Sequence, residues 1–130
     1  MFVRLGLAGV LLMGLALLPA QAADAPITRT PLQSAEAPHT ANNVQSYLVT
    51  VAPQAVVARH THPGVEMGYC VSGTLTVLVA GQSDRPIKAG DSWVFPAGMP
   101  HSLVNTGDVR AQLVVTYVVE KGKPLSSPAP

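Results

Sequence analysis

The hydrophobic and polar positions of the chain alternate mostly with the two-residue period of β-strands. Runs rich in β-branched and aromatic residues are separated by clusters of Gly, Pro and Asp. These runs lie at 44–51, 55–62, 66–73, 74–80, 92–98 and 109–120. Short strands at such close spacing are typical of an all-β sandwich or barrel. After the first 22 residues we find no segment with a helical period, no internal repeat and no second domain.

The first 22 residues have a pattern of their own. A single basic residue, Arg4, precedes an apolar run at 5–18, and a small-residue pattern follows at 20–22. This layout is typical of a secretory signal peptide that is cleaved after Ala22. The alternative is an uncleaved N-terminal anchor, but the apolar run is short for a membrane span. The sequence therefore predicts a periplasmic or secreted protein with no stable membrane insertion after cleavage.

The rest of the chain divides into an arm, one domain and a tail. Residues 23–43 hold prolines and polar residues without periodicity, which predicts a flexible N-terminal arm that is loose or packs on a neighbour. Strand signals dominate 44–120, the predicted β-barrel domain. Residues 121–130 form a polar, proline-rich C-terminal tail. A core this small is marginal alone, so we expect a homodimer.

Charge and cysteine content narrow the classes of partner. The signal peptide contains one of the eight basic residues, so the remaining seven balance the seven acidic ones. With no basic patch and no run of aromatic residues, we expect a small-molecule ligand or substrate rather than a nucleic acid. Cys70 is the only cysteine, so no internal disulfide can form. The core, a metal or oligomerisation must therefore stabilise the fold.

The stretch His-Thr-His-Pro-Gly-Val-Glu at 60–66 carries three metal-binding side chains. His60 and His62 point to the same side of an extended strand. The Pro-Gly turn that follows is expected to reverse the chain and to bring Glu66 back on an adjacent strand. His101 lies further on, after a proline-rich loop, and could complete the site. Taken singly, these residues have plainer interpretations: a chance surface pair, a solvated charge and a structural histidine.

Together with a second group downstream, these residues resemble the two motifs of the cupin family. The first motif is met by His60, His62, Glu66 and Gly73, and the second by Gly90, Pro96, Gly98, His101 and Asn105. One position departs from the pattern: where the motif has a glycine, this chain has Gln54, so the turn there is expected to be built differently. The resemblance extends over about residues 44–120, nearly the whole predicted domain.

The resemblance implies an all-β fold, the cupin double-stranded β-helix, which is a small jelly-roll-like barrel. It also implies a metal site inside the barrel, formed by His60, His62, Glu66 and His101. Such ligands suit one divalent transition metal ion, namely Fe, Mn, Ni, Cu, Co or Zn. We expect Gly73 and Gly98 to form tight turns where a Cβ would obstruct. Asn105 is expected to tie down its own turn through backbone hydrogen bonds.

Five further residues are candidates for the wall of a pocket: Tyr47, Cys70, Trp93, Phe95 and Tyr117. Alternation along the last long strand places Tyr117 on the same face as Leu113 and Val115. Large apolar residues usually lie in cores, which is the alternative for each aromatic residue. Cys70 shares the parity of Glu66 and could face the cavity, and the alternative is an inert, buried thiol.

Three functions are compatible with such a site, since fold and ligands alone do not fix a reaction. The first follows from a resemblance to small single-domain bacterial cupins of the quercetinase-like type. It is a metal-dependent oxidase or dioxygenase acting on a small organic substrate, with Glu66 as a base toward a substrate hydroxyl. The second is a metal-dependent isomerase, lyase or decarboxylase. The third is a non-catalytic periplasmic protein that binds a small ligand or a metal.

A zinc hydrolase is a further alternative for the metal site, because other zinc proteins also carry a His-x-His pair. It does not explain the downstream Pro-x-Gly-x-x-His-x-x-x-Asn pattern at 96–105. The chain also has no His-Glu-x-x-His segment of the kind that zinc proteases carry on a helix. We therefore favour the cupin interpretation.

Overall fold

The computed structural model describes residues 25–130, so the predicted signal peptide at 1–22 and its cleavage site lie outside the described residues. The described part consists of strands joined by turns. The strands are β1 (Ile27–Glu36), β2 (Asn42–Val51), β3 (Val56–Thr61), β4 (Val65–Ser72), β5 (Thr74–Val79), β6 (Arg85–Lys88), β7 (Ser92–Phe95), β8 (His101–Val104), β9 (Ala111–Glu120) and β10 (Ser127–Pro128). Within this range, no helix is long and apolar enough to cross a membrane.

Two five-stranded antiparallel sheets enclose the interior. Sheet A has the strand order β1-β2-β9-β4-β7, and sheet B has the order β10-β3-β8-β5-β6. From β3 onwards the chain passes repeatedly from one sheet to the other, as it does in a double-stranded β-helix. The predicted all-β class and the predicted jelly-roll-like barrel are therefore confirmed.

The hydrophobic core lies between the two sheets. Strand β9 shows the pattern most clearly, because alternate side chains from Ala111 to Val119 are buried. Leu113, Val115 and Tyr117 thus share the inner face, as predicted. Each large apolar side chain that is removed from water in this way stabilises the fold by about 1.5–3 kcal/mol.

The predicted path from His62 to Glu66 is wrong, because the Pro-Gly turn does not join neighbouring strands. Strand β3 belongs to sheet B and β4 to sheet A, so the turn carries the chain from one sheet to the other. Gly64 makes this crossing possible by lying against the carbonyl of Val118 on β9, where a Cβ would overlap the oxygen. Strand β4 then pairs with β9 from its first residue. Glu66 consequently faces the histidines from the opposite sheet.

Four strands lie outside the runs that the sequence predicts: β6 and β8 within the predicted domain, β1 in the predicted arm and β10 in the predicted tail. In the predicted arm, β1 pairs with β2 from Ile27, opposite Val51, to Glu36, opposite Asn43. Nearly all side chains of β1 are exposed, so it has no apolar alternation that a sequence pattern could show. In the predicted tail, β10 pairs with the end of β3. Backbone hydrogen bonds therefore hold both segments, and the expectation of an unpaired arm over 27–36 is corrected.

Gln54, which stands where the motif has a glycine, adopts a left-handed backbone conformation with a φ of 61°. Its N–H donates to the carbonyl of Asn105 at 3.0 Å, and its side-chain amide donates to the carbonyl of Gly107 at 3.2 Å. A residue with a Cβ thus occupies a conformation that suits glycine, and the expectation that this turn differs from the motif's stays a prediction. A residue with a Cβ adopts this conformation at a cost of about 1–2 kcal/mol.

Gly73 and Gly98 both lie in turns, but for different reasons. At Gly73, with a φ of +80°, a Cβ would lie 2.8 Å from the Cα of Ala111, which confirms the expected obstruction. At Gly98, a Cβ would meet no atom within 4 Å, so obstruction is not the reason. There the φ of +73° favours glycine by itself.

Asn105 holds the turn after β8 through three hydrogen bonds to the backbone. Its Oδ1 accepts from the N–H of Gly107 at 2.9 Å, and its Nδ2 donates to the carbonyls of Val51 and Val109 at 2.9 and 2.8 Å. The side chain is fully buried. The predicted structural role is confirmed, and the bond to Val51 also ties the turn to the end of β2.

Candidate metal centre

The four candidate ligands meet in the interior between the two sheets. His60 lies on β3, His62 directly after it, Glu66 on β4 and His101 at the start of β8. One ligand atom from each residue lies within 4.8 Å of all the others. All four side chains are buried; His60 is the most exposed, at 9%, and His101 is fully buried. The structure therefore brings together the residues that the two motifs single out.

Backbone carbonyls fix the orientation of all three imidazole rings. Each Nδ1 lies at hydrogen-bond distance from a carbonyl oxygen: His60 from Ala58 at 2.7 Å, His62 from Leu125 at 2.7 Å and His101 from Met99 at 2.9 Å. Since a carbonyl can only accept, each Nδ1 carries the proton and donates it. The lone pair of each ring then resides on Nε2, which is the arrangement of a metal-binding histidine.

The Nε2 atoms provide a test of whether a cation fits between these groups. The Nε2 atoms of His62 and His101 are buried, and neither makes a hydrogen bond of acceptable geometry with any of residues 25–130. They nevertheless lie 2.8 and 3.5 Å from Oε2 of Glu66. These nitrogens and Oε2 of Glu66 face one another across one point, and a proton or a metal cation placed there would stabilise the group. Three nitrogens and one oxygen also form a donor set that divalent transition metals accept.

Trp93 holds the second oxygen of Glu66. Its indole N–H donates to Oε1 at 2.9 Å, which leaves Oε2 directed at the histidines. The indole lies over Gly68, where a Cβ would overlap the ring. Burial raises the pKa of Glu66, but the contacts with His101, His62 and Trp93 outweigh it and hold that pKa well below its usual range. Glu66 is therefore a carboxylate at neutral pH.

His60 is kept neutral by its surroundings. Burial lowers its pKa, and the neighbouring His101 and His62 lower it further, while the hydrogen bond with Ala58 acts in the opposite direction. A neutral imidazole is the form that binds metal ions. At His60 and Glu66 the electrostatics of the site thus favour the protonation states that a metal ion requires.

Two aromatic rings pack directly on the imidazoles. Phe95 stacks on His101 with ring centroids 4.2 Å apart, and Tyr117 lies 4.7 Å from His62. Burial raises the pKa of Tyr117, and the charge of Glu66 raises it further, so the phenol stays protonated. Both rings limit the directions in which the histidines can move.

A narrow cavity adjoins the site. It is lined by Arg29, Val49, Val57, His60, Glu66, Trp93, Leu103, Leu113, Val115 and Tyr117. Its free volume is only about 10 Å³, room for one water molecule at most. Trp93 and Tyr117, two of the candidate wall residues, lie here. Hydrophobic side chains form most of the remaining wall.

The other candidate wall residues lie elsewhere. Phe95 contacts a ligand but is not among the residues that line the cavity. Tyr47 is half-buried on β2 and donates its hydroxyl to Gln45 at 2.8 Å. Cys70 is fully buried, and its thiol lies 3.5 Å from the carbonyl of Ser72. Burial raises the pKa of Cys70, in keeping with an inert thiol.

Sequence reasoning missed several residues that shape the site. Two of the supporting carbonyls, those of Ala58 and Met99, come two positions before a histidine, so the local spacing could have indicated them. The carbonyl of Leu125 comes from the predicted tail, and no pattern points to it. Arg29 likewise reaches the cavity from β1, a strand without a sequence signal.

Comparisons with known proteins agree with this architecture. The family model described as "Cupin domain" matches residues 47–117. Oxalate oxidase 1 from Hordeum vulgare is 33% identical over 77 residues, which cover 53% of this chain and 38% of that protein. Oxalate decarboxylase from Bacillus subtilis is 30% identical over 67 residues, which cover 48% of this chain and 17% of that protein. The chain thus spans less than two-fifths of either relative.

A solved structure extends the likeness over most of the described chain. It is an uncharacterised protein with a double-stranded β-helix domain from Klebsiella pneumoniae. The two share a TM-score of 0.65 at 18% sequence identity, over 85% of this chain and 90% of that one. At this identity the likeness concerns the fold alone.

Proposed function

Because the chain belongs to the cupin domain family, we propose that it is a metal-dependent enzyme with one divalent transition metal ion held by three histidines and one glutamate. One observation carries the proposal: the four ligand atoms lie within 4.8 Å of one another. The carbonyls that fix the Nδ1 atoms strengthen it, since they leave every Nε2 available. The donor set suits Fe, Mn, Ni, Cu, Co or Zn, and four protein ligands leave room for a substrate atom.

We propose that the reaction is an oxidation of a small organic substrate. The oxalate oxidase match supports oxidase chemistry. The resemblance of this chain to small cupins of the quercetinase-like type supports a dioxygenase reaction as the second form of oxidation. A bound redox-active ion would supply the Lewis acidity and the reaction with O₂. The chain itself binds and orients the substrate, and Trp93 and Tyr117 exclude water from the inner side of the site.

Glu66 fits the role of a ligand better than that of a base. Its pKa lies well below the usual range, so it is ionised at neutral pH but accepts protons weakly. Both of its oxygens are engaged, Oε1 by Trp93 and Oε2 by the histidines. A base role toward a substrate hydroxyl would require Glu66 to leave these contacts.

Two other functions are supported by separate observations. The oxalate decarboxylase match favours a non-oxidative reaction, such as that of a decarboxylase, lyase or isomerase, at the same centre. The inner cavity leaves only about 10 Å³ of free space and admits no substrate, which favours a non-catalytic protein that binds a metal, or a small ligand outside this cavity. Oxygen uptake separates the first proposal from both of these alternatives.

Metal analysis of the purified protein tests the centre directly. The wild type should contain one equivalent of metal, and His60→Ala and His101→Ala should each lose it because a buried ligand is removed. His39→Ala is the matched control, since His39 lies in an exposed turn away from the site, and it should retain the metal. Full metal content in His101→Ala would contradict the proposed centre.

Oxygen consumption then tests the reaction. The metal-loaded protein is mixed with oxalate, a catechol or a flavonol, and the rate is compared with that of the same free metal ion. A rate above that of the free ion, lost in His101→Ala, supports the oxidative function. Product analysis that shows turnover without oxygen uptake would favour the decarboxylase-like alternative, and no turnover would favour binding alone.

We also propose that two copies associate through the outer face of sheet A. Exposed apolar side chains cluster there: Met67, Tyr69, Val71 and Val94. Their cross-strand neighbours on β9, Thr116 and Val114, are uncharged. Light scattering after size-exclusion chromatography should give a dimer, and Tyr69→Lys should give a monomer. Val109→Lys, which charges an exposed valine in a turn away from this face, should leave the dimer intact.

Export is a further proposal, supported by the signal-peptide pattern at 1–22. It places the mature protein in the periplasm or outside the cell. Mass spectrometry of the protein from the exported fraction should give a chain that begins at Ala23. A chain of full length retained in the membrane fraction would favour the uncleaved anchor.

A further inference from the structure

An open cleft lies between the edges of the two sheets, beside the metal centre. It has a volume of about 570 Å³ and is bordered by β1 on one side and by β3 and β10 on the other. The residues that line it are Ile27, Arg29, Val56, Val57, Ala58, Arg59, His60, Ser126 and Pro128. Strands β1 and β10, which the sequence pattern does not indicate, thus form two of its borders.

The cleft leads to the metal centre. Arg29, Val57 and His60 line both the cleft and the narrow inner cavity. His60 is also the most exposed of the four candidate ligands, at 9%. The inner cavity holds only about 10 Å³ of free space, so a substrate cannot lie within it. A small molecule that reaches the centre from the cleft therefore approaches from the His60 side.

Two arginines give the cleft a positive charge. No residue that lines the cleft carries a carboxylate, and no ion pair found among residues 25–130 involves Arg29 or Arg59. The Nε of Arg59 is buried and has no hydrogen-bond partner in the described part of the chain. The pairing of β3 with β8 shifts its register between Val57 and His60, so Arg59 lies in an irregular stretch of the strand. A buried guanidinium N–H without an acceptor is costly until an acceptor arrives.

We propose that this cleft is the ligand entrance and that Arg29 and Arg59 bind the carboxylate of a small organic acid. The proposal rests on the metal-dependent function proposed above and specifies its substrate class. A guanidinium binds a carboxylate through two parallel N–H···O bonds, and phosphate, which it can bind in the same way, is the competing anion that a binding measurement must exclude. The opposite end of the acid, a hydroxyl or second carboxylate, then faces the metal centre at His60. Arg29 lies outside the matched family segment at 47–117, so this part of the proposed binding site comes from the predicted arm of the chain.

Calorimetric binding of glycolate to the protein as purified tests the assignment. Arg29→Gln and Arg59→Gln should each weaken binding by roughly 10- to 100-fold, because each removes a charge-assisted hydrogen bond. Arg85→Gln is the matched control, since Arg85 lies on β6 and outside the cleft, and it should bind glycolate as the wild type does. Glycolamide, the uncharged counterpart of glycolate, should bind weakly and equally to all four proteins.

Further measurements distinguish carboxylate binding by the two arginines from a folding defect of the variants and from a preference for another anion. Thermal unfolding reports whether each variant folds. Arg29→Lys and Arg59→Lys keep the positive charge but lose the planar guanidinium group, so these variants should bind glycolate with intermediate affinity. Inorganic phosphate should bind more weakly than glycolate. Tighter binding of phosphate, or glycolate affinities unchanged in both glutamine variants, would overturn the assignment.

The outcome for the cleft is distinguishable from that for the metal centre. The arginine variants should keep full metal content, because neither arginine is a ligand. Arginine-dependent glycolate binding in a protein without stoichiometric metal would support the cleft and contradict the centre. Stoichiometric metal with arginine-independent glycolate binding would support the centre and overturn the cleft.

Discussion

The indole N–H of Trp93 donates to Oε1 of Glu66 at 2.9 Å, and this bond links two adjacent strands of sheet A beneath the metal centre. Glu66 approaches the histidines from the sheet opposite to theirs, and its rotamer needs a second support besides the contacts of Oε2 with His62 and His101. Trp93 takes that role from β7, while Gly68 leaves space for the indole. The position of the single acidic ligand thus depends on an aromatic residue that is not itself a ligand.

Replacing Trp93 with phenylalanine should weaken metal binding. The substitution keeps an aromatic ring but leaves Oε1 of Glu66 without its donor. Loss of such a supporting hydrogen bond typically lowers metal affinity by about 10–100-fold. Competition with a coloured chelator measures the affinity, and Tyr69→Phe, on the exposed face of the neighbouring strand, should leave it unchanged. Equal affinities in the wild type and Trp93→Phe would mean that the histidines alone orient the carboxylate.

Asn105→Asp should destabilise the fold without touching a ligand. The change replaces an Nδ2 donor with an oxygen that faces the carbonyls of Val51 and Val109. Leaving buried carbonyls unsatisfied costs about 1–3 kcal/mol, and the buried negative charge adds to that. Denaturant unfolding should show a loss of at least about 2 kcal/mol. Asn42→Asp, at the partly exposed start of β2, should lower the free energy of unfolding far less. A similar loss of stability in both variants would contradict the role of Asn105 in holding its turn.

The sequence allowed the centre and most of the barrel to be predicted because their signals are local. Burial alternates along β9, and the ligands lie in two short motifs, with His60, His62 and Glu66 in the first and His101 in the second. The missed features depend on contacts between distant segments. Strand β1 is held by backbone pairing and exposes its side chains, so no hydrophobic pattern marks it. The crossing at Gly64 follows from a contact with Val118, and the carbonyl of Leu125 becomes a support only after the tail folds back.

Gln54 carries a side chain in a backbone conformation that favours glycine, and this leads to a stability prediction. Because its φ of 61° favours glycine, Gln54→Gly should relieve strain of about 1–2 kcal/mol. Part of that gain is offset by the flexibility of glycine and by the lost contact with Gly107. We expect unchanged or higher stability by thermal unfolding. Gln112→Gly, within β9, should instead cost about 0.5–1 kcal/mol, and an equal loss at both positions would show that Gln54 is not strained.

Acidification should destabilise the metal-free protein, beginning near the ordinary pKa of histidine. The folded-state pKa of His60 is lowered from 6.5, so below that pH the unfolded chain binds more protons than the folded one. Stability present above pH 6.5 is therefore lost as the pH falls through this range. Glu66 acts in the same direction, because its pKa is lowered from 4.5, and its contribution is lost at still lower pH.

Thermal unfolding in the presence of a chelator, at several pH values from about 7.5 down to about 4, measures this loss. His60→Gln removes the titrating ring and should flatten the decline below pH 6.5, whereas His39→Gln should follow the wild type. The metal-loaded protein should be more stable than the metal-free one at neutral pH and should lose this advantage on acidification, because protons compete with the metal for the ligands. A metal-free protein whose melting temperature stays level or rises as the pH falls from about 7 to about 5 would show that His60 is not held neutral by burial.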